Sequence, residues 1–173
     1  MQNEELWIKL PATEIENYVK FHENAFKEDL AHAERNVFEF PRWSIISGYY
    51  CMHDVTKLFF AKNYGLKITS PGIHIKTIRA LEHFINDEKL KVKLLKLLKE
   101  AKNVYFNAER LKEKVLPVLL KKGKEERGKS QYYTEDFTKS SVVDSKKADY
   151  FLETVVRPYV KIMKALKEKK FSS

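Results

Sequence analysis

The sequence is short of the residues that make small rigid scaffolds. It has one cysteine, five glycines and five prolines in 173 residues. A lone thiol, Cys51, cannot form an internal bridge, and a chain of this length has no need of one, because it can bury roughly two thirds of its unfolded surface. Cys51 sits in an apolar run and reads as a small buried hydrophobe. With no secretory leader at its start, a single cysteine leads us to expect a reducing cytoplasm. No apolar stretch approaches the roughly 20 residues that span a bilayer.

Whole classes of chemistry are also missing their signatures. The chain has no GxxxxGK[ST] and no GxGxxG for nucleotide phosphates, no HExxH and no CxxC for zinc, and no GxSxG nucleophile elbow. We therefore expect no metal and no cofactor. Period-2 strand segments of useful length are absent too, as are repeats and low-complexity linkers.

What is abundant is lysine, glutamate and leucine, a helix-favouring composition. Apolar positions at Ile15, Tyr18, Val19, Phe26, Leu30, Ala33 and Val37 form the stripe of a long amphipathic helix, capped by Thr13 and ending near Phe40. Pro41 starts a second helix, apolar on nearly all sides and so central, which Gly65 terminates. A shorter helix follows Ser70 to Ile85. From Glu88 the series Leu90, Leu94, Leu97, Ala101, Val104, Ala108, Leu111, Val115 and Val118 steps by four and three. That spacing predicts one long helix with a heptad-like seam, packed inside the bundle or against a second copy, and loosened at Pro117. The last helix covers about Val142 to Leu166, bent at Pro158. The expected fold is all-α: one domain over 1–173, an up-and-down bundle of about five helices, with a lead-in over 1–12 and a frayed tail over 167–173.

The formal charge is +9. Such a balance steers toward nucleic acid, nucleotides or anionic partners, or simply keeps the surface solvated. Among five histidines, His22 shares a face with Ile15 and Phe26 and reads as a satisfied boundary residue. His53 and Asp54 interrupt the apolar second helix, so they either form a hydrogen-bond network or line a cleft. Arg127 precedes Gln131, Tyr132 and Tyr133, a combination suited to phosphate contacts and base stacking. The charged connection KKGKEERGK, with Lys121, Lys122, Lys124 and Lys129, surrounds it.

Three stretches resemble the HEPN superfamily of nucleotide-binding helical domains. They are SGYYCMHDVTKLFFAKNYGLK (Ser47 to Lys67), SPGIHIKTIRALEHF (Ser70 to Phe84) and the Arg-to-aromatic segment from Glu126 to Val160. The resemblance implies a helical bundle, commonly a homodimer. It also implies either a metal-independent RNase or an inactive binding partner, often of a nucleotidyltransferase in toxin–antitoxin or defence systems. Active members use an Arg followed about four to six residues later by a His, for phosphate stabilisation and acid/base work. Here Arg127 is followed by Gln131, Tyr132 and Tyr133 instead. Arg79 with His83 is a shorter-spaced pair on another helix. The expectation is a non-catalytic domain binding RNA, a nucleotide or an anionic partner through Lys124, Arg127, Lys129, Gln131, Tyr132, Tyr133, His53 and Asp54. The alternatives are a metal-independent endoribonuclease drawing on Arg127, His53 or His83, and a dimerisation scaffold.

Overall fold

The computed structural model describes residues 5–125 and 143–169, with side chains over 5–109 and 143–166. It is an all-α bundle. Helix α1 spans Ala12–Arg35 and α2 spans Pro41–Tyr64. The two form an antiparallel hairpin: Ser44 donates to the carbonyl of Ala33 near the turn, and Leu10 donates to the carbonyl of Gly65 at the open end. The α1 cap differs from the Thr13 expectation. Pro11 occupies the cap position with no side-chain hydrogen bond, and the helix stops five residues before Phe40. Asn36 ends it by bonding the His32 carbonyl through its amide side chain, a local alternative to helix continuation.

Helix α2 is the central element. Its residues from Ser44 to Tyr49 and most of those from Cys51 to Ala61 are buried, as a helix apolar on every side requires. Trp43 and Tyr50 are the departures: both remain about half exposed. Gly65 closes the helix at φ +62°, a left-handed conformation that glycine adopts without a Cβ clash. The lead-in contains a strand where no sequence pattern predicts one. β1 (Trp7–Lys9) pairs antiparallel with β2 (Leu66–Ile68), Trp7 opposite Ile68.

Helix α3 covers Ile73–Phe84 and α4 covers Glu88–Glu125. The latter continues past Pro117, as the seam does, and ends at Glu125, beyond its last position Val118. Over its described side chains, the seam packs inside the bundle: Leu94, Leu97, Ala101 and Ala108 are buried, with Leu98 beside them. The seam positions Leu111, Val115 and Val118 lie outside the described side chains.

The last helix begins as α5 (Ser145–Phe151), capped by the Asp144 carboxylate on the Lys147 amide. It passes through a π-helical turn (Leu152–Val156) into α6 (Arg157–Lys169). Pro158 is the reason. It has no N–H, and its ring would clash with the carbonyl four residues back. The wide turn, with the Arg157 amide bonded to the Leu152 carbonyl, accommodates that defect without breaking the helix. The turn faces α2 at Gly48, where a Cβ would sit 3.0 Å from Val156 Cγ2 and 3.2 Å from the Phe151 ring. Cys51 is a free, buried thiol whose pKa burial pushes upward, so it acts as a core residue. Among the described residues, no helix is long and apolar enough to cross a membrane.

Candidate functional site

His53 and Asp54 are sequence neighbours that the helix sends to different sides. Successive residues on an α-helix point about 100° apart, and here they enter two separate clusters.

Asp54 faces α1. It accepts a 2.7 Å hydrogen bond from Nδ1 of buried His22 and lies 3.6 Å from the Lys57 ammonium. Asp29, two helical turns beyond His22, lies close enough to the same carboxylate to feel its charge. Burial favours the neutral form of Asp54, but the His22 bond and the Lys57 charge outweigh it and hold its pKa below the ordinary value. Asp29 takes the opposite role. Burial first, then the Asp54 charge, raise it to about 6. Tyr18, against the His22 ring, is pushed to about 12 by burial and by Asp54. This is a network that ties α1 to α2, and it satisfies the polar residues that the sequence singles out there.

His53 faces α3 and has no such support. It is 4% exposed, and neither ring nitrogen has a hydrogen-bond partner. Its neighbours are rings: Tyr49 at 4.8 Å and His74 at 4.6 Å, both edge-on. Burial, reinforced by the Lys57 charge, lowers its pKa to about 4, so it is neutral at physiological pH. His74 is lowered to about 4 as well, by burial and by Lys102. The Tyr49 hydroxyl lies 2.5 Å from Nδ1 of His74. A phenol with no other acceptor donates there, which leaves the proton of neutral His74 on Nε2. Tyr105 stacks flat on Tyr49 at 4.1 Å and 13°, and its hydroxyl is 3.4 Å from that of Tyr50. Phe106 continues the series beside Tyr105 and His74.

A neutral imidazole between aromatic rings can donate one hydrogen bond and accept another. Sealed from solvent, it cannot exchange protons with a substrate in this conformation. His83, the other candidate base, is exposed and lies tilted against Trp7 at 5.4 Å and edge-on to Phe84 at 4.7 Å. Lys124 lies in the α4 backbone, its side chain outside the described set. Arg127, Lys129, Gln131, Tyr132 and Tyr133 lie outside the described residues.

Grooves of about 530 and 480 Å³ flank α6. Lys93, Lys161, Arg157 and Glu153 line the first over a floor of Leu90, Ile162 and Leu166, and Lys164 joins the second. Arg157 is already paired with Glu34 and Glu153. Lys93, Lys161 and Lys164 have no acidic partner among the described residues. No group of three or more His, Cys, Asp or Glu among the described residues is arranged to hold a metal ion.

Sequence reasoning missed Asp29, Tyr105 and the pairing of His53 with His74. The signal for Asp29 was faint but present: it lies seven residues after His22, on the same helix face. Comparison with known proteins finds no matching family model, no similar characterised protein and no matching solved structure.

Proposed function

We propose that the chain is a HEPN-like helical domain that binds RNA through its phosphates without cleaving it. The observation that carries the reading is the set of lysines along α6. Lys161, Lys164 and, across the groove, Lys93 line two clefts without an acidic partner among the described residues, in a chain of charge +9. Unpaired cations beside a groove attract a phosphate backbone at long range and release counterions when it binds. The non-catalytic half of the reading is supported by two features. Arg127 lacks a following histidine in the sequence, and His53 is neutral and closed off from solvent. The resemblance adds a homodimer and a nucleotidyltransferase partner to the same reading.

The test is the affinity for labelled single-stranded RNA measured across a salt series. Replacing Lys93, Lys161 and Lys164 together by Gln should flatten the plot of log affinity against log salt by about 2, near 0.7 for each single-strand phosphate no longer neutralised. Arg127→Ala should flatten it by about 1 if that edge also touches phosphate. Binding that ignores salt, or no binding at all, ends the proposal. A cleavage assay in chelator tests the other half: intact RNA supports a pure binder, and cut RNA establishes the endoribonuclease alternative.

A further inference from the structure

The surface where α2, α3 and α4 meet carries more exposed ring area than packing requires. Tyr50 is 48% exposed on a helix that is otherwise almost wholly buried, and Phe106 is 38% exposed on the facing α4. Trp43, two turns before Tyr50 on the same face of α2, is equally open. Apolar surface left exposed in a cluster marks a contact site more often than an accident of packing. These rings are also held in place. Tyr105, which touches both Tyr50 and Phe106, is stacked flat on buried Tyr49, and His74 is fixed by the Tyr49 hydroxyl.

Two cations stand over the outer rings. The Lys102 ammonium is 5.7 Å from the Phe106 centroid, and the Arg42 guanidinium is 5.8 Å from the Trp43 centroid. Arg42 is anchored by its Nε donating to the Ala108 carbonyl at 3.0 Å. Its Nη2 comes within 3.6 Å of the Glu109 carboxylate yet makes no hydrogen bond. Behind the rings lies His53, with both nitrogens unused. Exposed faces of aromatic rings and cations at their edge together complement a ligand that is aromatic and anionic at once. An aliphatic protein face would match the rings but would leave the Lys102 ammonium without a counter-charge.

We propose that this surface stacks the bases of single-stranded RNA, with Tyr50, Phe106 and His74 meeting the bases and Lys102 and Arg42 meeting the flanking phosphates. The inference rests on the RNA-binding reading above and assigns it a second, chemically different surface on the bundle. Stacking is tolerant of sequence, because every base has a π-face. The site therefore favours unpaired RNA over duplex, whose bases are already stacked on each other.

The probe is labelled oligoadenylate, followed by anisotropy over a salt series. The double variant Tyr50→Ala/Phe106→Ala should weaken binding by roughly tenfold or more. The salt slope should stay that of the wild type, because every phosphate-binding cation is still present. An unchanged affinity in a wild type that does bind overturns the stacking surface and leaves the RNA reading standing. A wild type that binds no oligonucleotide overturns both. Light scattering on the same two proteins covers the remaining occupant: a dimeric wild type with a monomeric variant makes this face a contact between copies and overturns the proposal. Photocrosslinking wild-type protein to 4-thiouridine RNA needs no variant to fold. Adducts on Tyr50, Tyr105 or Phe106 support the assignment, and adducts confined to other segments reject it.

Discussion

The phenol of Tyr159 donates to the hydroxyl of Thr56 at 2.7 Å, joining the last helix to α2 inside the core. The direction follows from the partners. Thr56 already gives its own proton to the Met52 carbonyl at 2.7 Å, so it can only accept from Tyr159. Tyr159 is fully buried, and burial pushes its pKa up, so the phenol stays protonated.

That direction makes the two partners unequal. Thr56→Val leaves the Tyr159 hydroxyl buried with no acceptor, at a cost of about 1–3 kcal/mol. Tyr159→Phe removes the donor but leaves Thr56 bonded to Met52, and should cost about 0.5–1.5 kcal/mol. Urea denaturation of both variants measures this order, and a larger loss for Tyr159→Phe contradicts the assigned direction.

Gly48 lets the π-helical turn approach α2. Gly48→Ala gains up to about 1 kcal/mol in helix propensity, yet its Cβ would press on Val156 Cγ2 at 3.0 Å. Overpacking of this kind costs about 1–3 kcal/mol, so the substitution should lower stability despite the better helix former. Adding Val156→Ala removes the offending methyl. The double variant should then be more stable than the two single losses sum to, and simple additivity in a double-mutant cycle would contradict the contact.

His53 gives the protein an acid liability. Its folded pKa of about 4 lies below the ordinary 6.5. Below pH 6.5 the unfolded chain takes up a proton that the folded chain refuses. The stability is complete above pH 6.5 and falls as pH drops toward 4, by about 3 kcal/mol for this group. His53→Phe keeps the ring, removes the two unpartnered nitrogens and should leave stability at pH 7 unchanged or slightly higher. It should also flatten the loss between pH 6.5 and 4. A variant that falls as steeply as the wild type assigns the acid transition to other groups, of which His74 is the first.

The helices were readable in advance because burial against one core imposes the 3.6-residue stripe locally. Leu94, Leu97, Ala101 and Ala108 mark their buried face whatever they pack against. The β1–β2 pair was not readable. Three residues such as Trp7, Ile8 and Lys9 carry too little pattern, and their strand exists only because Ile68 lies opposite. The site divides in the same way. That a buried His53 and a near-buried Asp54 need explanation follows from the apolar run around them. That His22 and Asp29 converge on Asp54, while His74 arrives beside His53 from α3, depends on how helices cross, and no spacing along one helix encodes it.

Asp29 supplies a pH dependence opposite in sign to that of His53. Its folded pKa of about 6 is raised above the ordinary 3.8 by burial and by the Asp54 charge. The folded state therefore binds the extra proton between pH 3.8 and 6, and stability from this group falls as pH rises through that window, then stays level. Asp29→Asn keeps a donor for the Asp54 carboxylate and removes the repulsion. It should be more stable than the wild type above pH 6 and lose that advantage as pH falls to 4. His22 and Lys57 still face Asp54 in the variant, so the α1–α2 network persists. Chemical denaturation at pH 4.5 and at pH 7.5 (about one and a half units either side of the Asp29 midpoint) reads the difference. A variant equally or less stable at the higher pH would mean that the Asp54 charge does not destabilise ionised Asp29 in the folded chain.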